Sequence, residues 1–450
     1  MKEDWIECTL DKLIDDDGLF KDGDWVEKKD QDPNGQVRLI QLADIGDGNF
    51  RDKSAKYLNL QRAKEMNCSF LKQGDILIAR MPEPLGRCTF FPFDEDEKFI
   101  TAVDVAILRP KNESVYNNFL LHQINSPSIR NNIDKLKSGT TRKRISRKNL
   151  NKIDFRFPSL IEQKAVVKKI EELFSSLDSG IADLKKAQDQ LVIYRQAVLK
   201  KAFEGELTNK KQKNKSLPDG WRTETVREVC ENIKVGIVIK PTNFYYKGKD
   251  GIKAFRSANV REFKVNDSNW VYFSKEGNEI NKRTQVHTGD VLLVRSGYPG
   301  TSCVVTEKFN NSNAIDVLIA TPNQEKVLPN FLCTFNNSPL AKGLFNKASR
   351  GVAQKHLNVG VYGKLLISYP NIEEQLKILK EIESRLSVCD TVEKDIADSL
   401  EKAQALRQSI LKKAFEGTLL REAEIAKCKA DKYYEPARVL LERIKKEKKK

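Results

Sequence analysis

Residues 195–207 read RQAVLKKAFEGEL and residues 407–419 read RQSILKKAFEGTL, so ten of thirteen positions are identical at an offset of 212. An internal repeat on this scale sets the architecture before any local pattern is considered. At the same offset Pro158 aligns with Pro370, Glu162-Gln163 with Glu374-Gln375, and Asp178 with Asp390. Asn118-Phe119-Leu120 aligns with Asn330-Phe331-Leu332, Ser126-Pro127 with Ser338-Pro339, and Asp104 with Asp316. Towards the N-terminus the offset grows to 215, pairing Cys88 with Cys303, Gly74-Asp75 with Gly289-Asp290 and Ala43 with Ala258, and to 216 for Trp5 and Trp221. The last fifty residues of each copy match closely, whereas the first 155 or so match only at scattered framework positions. Three more residues separate Arg80 from Asp104 than Arg295 from Asp316, so a loop differs in length there.

The two parts of a copy carry different patterns. In the variable part, QGDILIAR (73–80) and TGDVLLVR (288–295) place a Gly-Asp turn before a short apolar run that ends in arginine, which predicts a buried strand. Strands are also expected at Val103–Leu108, Val304–Val305 and Ile315–Ile319, and helix starts at Asn117–Asn125 and Pro329–Phe335. The variable parts are therefore expected to be mixed α/β. In the similar part, Ile170, Leu177, Leu184, Leu191 and Val198 fall seven apart, with Leu173, Ala187 and Tyr194 at the intervening apolar positions. Ile382, Cys389, Ile396, Ala403 and Ile410 keep the same register, and heptads sustained this long predict a coiled coil. Pro158 and Pro370 precede the helices; Gly205 and Gly417 suit their ends. From Ile161 to Gly205 the helix is roughly 65 Å long at 1.5 Å per residue. Each helix has one apolar stripe, and antiparallel pairing of the two would bury both stripes, with the variable domains at opposite ends about a pseudo-twofold axis. The fold class expected is α+β, and the segments are 1–158, 159–207, a basic linker 208–216, 217–370, 371–419 and a basic extension 420–450.

Composition narrows function. Seventy-nine Lys plus Arg against 63 Asp plus Glu give a net charge of +16 and pI 9.2, which makes a polyanionic partner plausible. With 39% apolar residues and a mean hydropathy of −0.54, the chain can bury real cores beneath a charged surface. No uncharged apolar run approaches the ~20 residues of a membrane span, and the first residues lack a signal-peptide stretch. The eight cysteines contain no CxxC pair and read as reduced cytosolic thiols. GxxxxGK[ST] and GxGxxG are absent, as is the Asn/Asp-Pro-Pro-aromatic tetrad of amino-methyltransferases. His122, His287 and His356 share no metal-ligand spacing. Asp94–Lys98 (DEDEK) imitates a nuclease cluster, but the second copy has Glu307, Lys308, Phe309 and Asn310 there, which favours a solvated loop. The basic run Arg443–Lys450 reads first as a solvated tail. No catalytic residue and no metal site are assigned.

Two variable domains alternating with two similar helices, each with P-x-x-x-E-Q at its start and L-K-K-A-F-E-G near its end, closely resemble the specificity subunits of type I restriction-modification systems over residues 1–419. The resemblance implies that 1–158 and 217–370 are target recognition domains for a bipartite, asymmetric DNA sequence, and that the helices dock two methyltransferase subunits. Restriction subunits would complete the complex. S-adenosylmethionine, ATP and Mg would be bound by those partners, none by this chain, in the cytoplasm. Independently, two unlike domains on a fixed spacer suit two unlike half-sites at a fixed spacing. Phosphate contacts position and base contacts specify. The DNA-binding candidates are thus Arg142, Lys143, Arg144, Arg147 and Lys148 in SGTTRKRISRKN, and Arg350, Gln354, Lys355 and His356 in SRGVAQKHLN. Arg80 and Arg295, at repeated strand ends, are candidates set against a structural ion pair, and Arg256, with Ser257 and Asn259, is a weaker one. The alternatives are a non-catalytic coiled-coil scaffold whose end domains bind proteins, and a fused restriction enzyme, for which no motif is visible.

Overall fold

The computed structural model of the chain describes residues 4–14, 18–110, 115–209, 217–348, 357–440 and 442. It divides into two compact units, one of residues 1–183 with 398–450 and one of residues 184–397. Neither is a contiguous copy of the repeat. Two 44-residue helices, Leu160–Phe203 and Ile372–Phe415, each give their first half to one unit and their second half to the other.

In the first unit, strands Leu19–Asp22, Val105–Arg109, Ile76–Ala79 and Cys88–Phe90 form an antiparallel sheet in that order. The Gly-Asp turn does what its sequence predicts. Gly74 takes φ +85°, a conformation open to glycine, and the Asp75 carboxylate accepts from the Lys72 N–H at 2.8 Å. Every residue of Ile76–Ala79 is then buried. A smaller sheet places Tyr57–Leu58 antiparallel and Phe99–Thr101 parallel to Val37–Ile40. Ile6–Thr9 pairs with Asp154–Phe157, which leads into the long helix.

The second unit repeats this plan. Cys230–Val235, Val317–Pro322, Val291–Val294 and Ser302–Val304 form the main sheet, and Arg222–Thr225 pairs with Leu366–Tyr369. The smaller sheet runs Tyr245–Tyr246, Val271–Phe273, Ile252–Phe255, Asn313–Ala314, and a hairpin Val260–Arg261 with Lys264–Val265 is added. The strands expected at 103–108 and 315–319 start two residues later, and that at 304–305 covers 302–304. The cysteine pairing also shifts. Ile78 opposes Cys88 while Leu293 opposes Ser302, so the counterpart of Cys88 is Ser302, not Cys303. The reason is a loop one residue shorter after Arg295 than after Arg80. Asn125 and Asn337 fix the match: each amide oxygen accepts, at 3.1 Å, from the N–H of Cys88 or Ser302.

The helices pair antiparallel within each unit. In the first, Val166, Val167 and Ile170 share one core with Ile410, Leu411, Ala414 and Phe415. In the second, Val198, Leu199, Ala202 and Phe203 share one with Ile378 and Ile382. Phe415 meets Phe119 edge-on at 5.1 Å and Phe203 meets Phe331 at 5.0 Å, so the LKKAFEG end of each copy packs under the variable domain of the other. Burial of one such phenylalanine is worth about 1.5–3 kcal/mol. The ion pairs are reciprocal too: Arg195 bonds Asp390 at 2.6 Å and Glu393 at 3.0 Å, and Arg407 bonds Asp178. The stripe Ile382, Cys389, Ile396, Ala403 and Ile410 is buried as the heptads predict. In the first helix Ile170 and Val198 are buried, Leu173, Leu177, Leu184, Ala187 and Leu191 are half-buried, and Tyr194 is 45% exposed. Both helices end before a glycine of positive φ, Gly205 and Gly417, as expected.

The repeated glutamines are braces. The Gln163 side chain accepts from Tyr116 N–H at 2.9 Å and donates to the Pro158 carbonyl, and Gln375 does the same with Leu328 and Pro370. Beyond residue 420 the chain forms a helix, Glu422–Lys429, that bonds Asp4 through Lys429 and Lys169 through Glu424, and Ala437 and Leu440 are buried. The described part of the extension is therefore packed structure within the first unit. The tail Arg443–Lys450 lies outside the described residues.

Candidate nucleic-acid interface

The basic stretch of the first unit folds as a small hairpin. Ser138 and Arg144 exchange both backbone hydrogen bonds at 2.9 Å, and Gly139 turns the chain at φ +98°. A Cβ at Gly139 would lie 2.4 Å from the Arg142 carbonyl, so the turn requires glycine. The hairpin presents Arg142, Lys143 and Arg144. Neither they nor Lys148 make a side-chain hydrogen bond or ion pair among the described residues. Arg142 and Arg144 border a cleft of about 730 Å³, whose other walls include Trp25, Gln31, Gln41 and Lys56. Asp24 also lines it; burial pushes its carboxyl above the ordinary range, against the lowering effect of its bond to the Ser69 N–H. Unpaired guanidinium and ammonium groups beside side-chain amides are the chemistry that holds phosphates and reads base edges.

The other candidates have internal partners. Arg80 donates to the Val103 carbonyl at 2.6 Å and lies 3.4 Å from Asp22; Arg295 donates to the Leu357 carbonyl at 3.1 Å and bonds Asp316. Their backbone carbonyls accept from Ile145 and Leu357, also equivalent positions. Of the two readings of these arginines, the structure contains the ion pair; both side chains are mostly buried, and DNA contact by them has no observation of its own. Arg147 is likewise engaged, donating to the Phe20 carbonyl at 2.6 Å with Asp22 at 3.9 Å. Arg256 donates to the Asn269 carbonyl at 2.6 Å, and Asn259 accepts from its N–H as Asp44 does from Gln41. Arg350, Gln354, Lys355 and His356 lie outside the described residues.

Sequence reasoning missed a second basic group in the first unit. Arg130 donates to Leu85 and Asn125 and bonds Asp47, while Arg87 beside it has no hydrogen bond or ion pair among the described residues. Burial, then the charge of Arg51, lowers the Arg87 pKa, and an anion there would relieve both. Its only signal in the sequence is an arginine closing a proline-rich loop. DEDEK is exposed at every position, with Lys98 on Glu95, as a solvated loop would be. Among the described residues no group of His, Cys, Asp or Glu is arranged to hold a metal, and no helix is long and apolar enough to cross a membrane. The eight cysteines are free thiols.

Two like-built units with unlike loops, tied by helices that each unit shares, define a paired recognition scaffold. The family model for the type I restriction modification DNA specificity domain matches residues 3–188 and 218–402, and the chain belongs to that family. It is 30% identical over 322 residues to the EcoBI specificity subunit of Escherichia coli, covering 68% of this chain and 67% of that one. To the EcoKI specificity subunit of Escherichia coli K12 it is 27% identical, covering 70% and 68%. The fold is shared with the HsdS subunit from Thermoanaerobacter tengcongensis (TM-score 0.56, 19% identity, 93% of this chain and 98% of that one). It is also shared with a chain solved in work on assembly and conformational transition of the type I R-M system (TM-score 0.69, 19% identity, 93% and 99%).

Proposed function

We propose that this chain is the non-catalytic recognition subunit of a type I restriction-modification complex in the cytoplasm. Residues 1–158 and 217–370 act as its target recognition domains, each reading one half of an asymmetric bipartite duplex target. The segments 159–207 and 371–419 dock two methyltransferase subunits, and restriction subunits join the assembly. S-adenosylmethionine, ATP and Mg are bound by those partners. A base must leave the stack to be methylated, so this chain's share is to bind and orient the duplex while the partner extrudes the adenine.

The observation that carries this reading is the basic hairpin 138–144, whose Arg142, Lys143 and Arg144 stay unpaired beside a cleft while arginines at repeated positions are internally bonded. Arg142 and Gln41 suit base edges; Lys143, Lys148 and Arg87 suit phosphates. The test is methylation-aware sequencing of DNA exposed to this chain with its methyltransferase partner. The expected result is methyladenine in a motif of two unlike, separated half-sites. Methylation without sequence preference, or no DNA binding beside protein binding by the same domains, would favour the scaffold alternative.

A further inference from the structure

We propose that Trp25 is a base-stacking residue of the first unit, and that Val238 holds the equivalent apolar base contact in the second. The inference rests on the DNA reading above and deepens it. After the first strand of the main sheet, the Gly23 N–H donates to the Val105 carbonyl at 2.9 Å and the Asp24 N–H to Thr101 at 2.7 Å. The second unit repeats this with Gly236 to Val317 at 2.9 Å and Ile237 to Ala314 at 2.8 Å. A Cβ at Gly23 would fall 2.2 Å from the Ala102 carbonyl oxygen, and one at Gly236 2.5 Å from that of Ala314. Both chains are thus pressed onto a strand at a position where only glycine fits. Two residues on, the same clamp releases an apolar side chain into solvent: Trp25 is 70% exposed and Val238 52%, followed in the second unit by Ile239 at 80%.

A single exposed apolar residue needs no explanation. Here the position recurs in two units that otherwise match only at framework residues, and one copy stands on the cleft wall with Gln31, Gln41, Lys56, Arg142 and Arg144. The Trp25 ring has no aromatic or cationic partner among the described residues; its indole N–H donates to Glu27 at 3.3 Å, which fixes the edge and leaves the faces open. A flat apolar face among cations and amides suits a nucleobase better than a protein surface. Aromatic side chains stack on bases, and apolar wedges enter base steps. Valine cannot stack but can meet the thymine methyl group, so the two units would differ in what this position accepts.

The experiment uses the full chain with its methyltransferase partner, its sequenced target duplex and a scrambled duplex of equal length. 2-Aminopurine is placed at successive positions of each half-site. Apart from the rise at each adenine the partner extrudes, wild type should change the fluorescence at one further step of one half-site; W25A should abolish that change, leave the extrusion signal of bound complex in place, and weaken target binding about 5- to 100-fold. W25F should restore most of that change and of the affinity, and scrambled-duplex binding should stay within about twofold. A W25A protein that binds and perturbs the target like wild type, or that loses both duplexes equally, overturns the inference. Wild type that fails to prefer target over scrambled duplex overturns the DNA reading instead, and this inference with it.

Discussion

Arg80 and Arg295 occupy equivalent strand ends, and the guanidinium of each is held by an internal carbonyl and an aspartate; the guanidinium groups of Arg142 and Arg144, on a hairpin of the first variable domain, have no partner among the described residues. The difference separates two uses of the same side chain. Several residues that recur at repeat positions have an intramolecular task, and for most of them the equivalent partner recurs too, although Arg80 pairs with Asp22 and Arg295 with Asp316. Arg195 with Asp390 and Arg407 with Asp178, Gln163 and Gln375, Phe203 and Phe415 all follow this pattern. On the hairpin, where the copies diverge, Arg142 and Arg144 make no side-chain bond among the described residues, whereas the candidates Arg147 and Arg256 are bonded internally.

The comparison can be broken most forcefully at the phenylalanines. F203A should destabilise the second unit, and F415A the first, by about 3–5 kcal/mol each, as loss of a buried aromatic does. Urea unfolding followed by limited proteolysis reports which unit opens. Loss of the first unit in F203A would contradict the exchanged packing.

A smaller effect is expected at His122, beside Phe174, where burial lowers the imidazole pKa from 6.5 to about 4. The folded unit keeps this group neutral while the unfolded chain takes up a proton near 6.5. The stability it contributes is complete above pH 6.5 and drains away as the pH falls towards 4, by at most about 3 kcal/mol. H122N should flatten the pH dependence of the melting temperature across that window; an unchanged slope would show that the ring is not buried as neutral imidazole.

The arginines sharpen the contrast directly. R295A should lower stability by about 1–3 kcal/mol by leaving Asp316 and the Leu357 carbonyl without a partner, with sequence preference unchanged. R142A and K143A should leave the free energy of unfolding within about 0.5 kcal/mol of wild type, as surface changes do. R142A should relax preference at one base position, and K143A should reduce the salt slope of binding by about one. The reverse pattern would mean that repetition does not mark the internal residues.

The helices and the strand after each Gly-Asp turn are legible in the sequence because their periodicity and turn chemistry are local. Ile382 to Ile410 is buried as its sevenfold spacing predicts. Long-range pairing is less legible. Nothing near Gln163 announces the Tyr116 N–H, and the exchange of helix ends between units follows from antiparallel pairing, which heptads alone do not specify. The Cys88–Ser302 match is hidden by a one-residue loop difference ahead of two short apolar strands, where both alignments look equally good. At the candidate site, charge identified the hairpin, but only geometry separates Arg142 from Arg147. Trp25 has no sequence signature, because its exposure comes from a glycine clamp two residues away.

The most direct test of the central claim, that divergent domains read and repeated elements brace, is to replace residues 217–370 with a second copy of 1–158, leaving both helices intact. With its methyltransferase partner this chain should methylate a motif built from two copies of the half-site that wild type reads through residues 1–158. Retention of the wild-type asymmetric motif by the folded chain would contradict the claim.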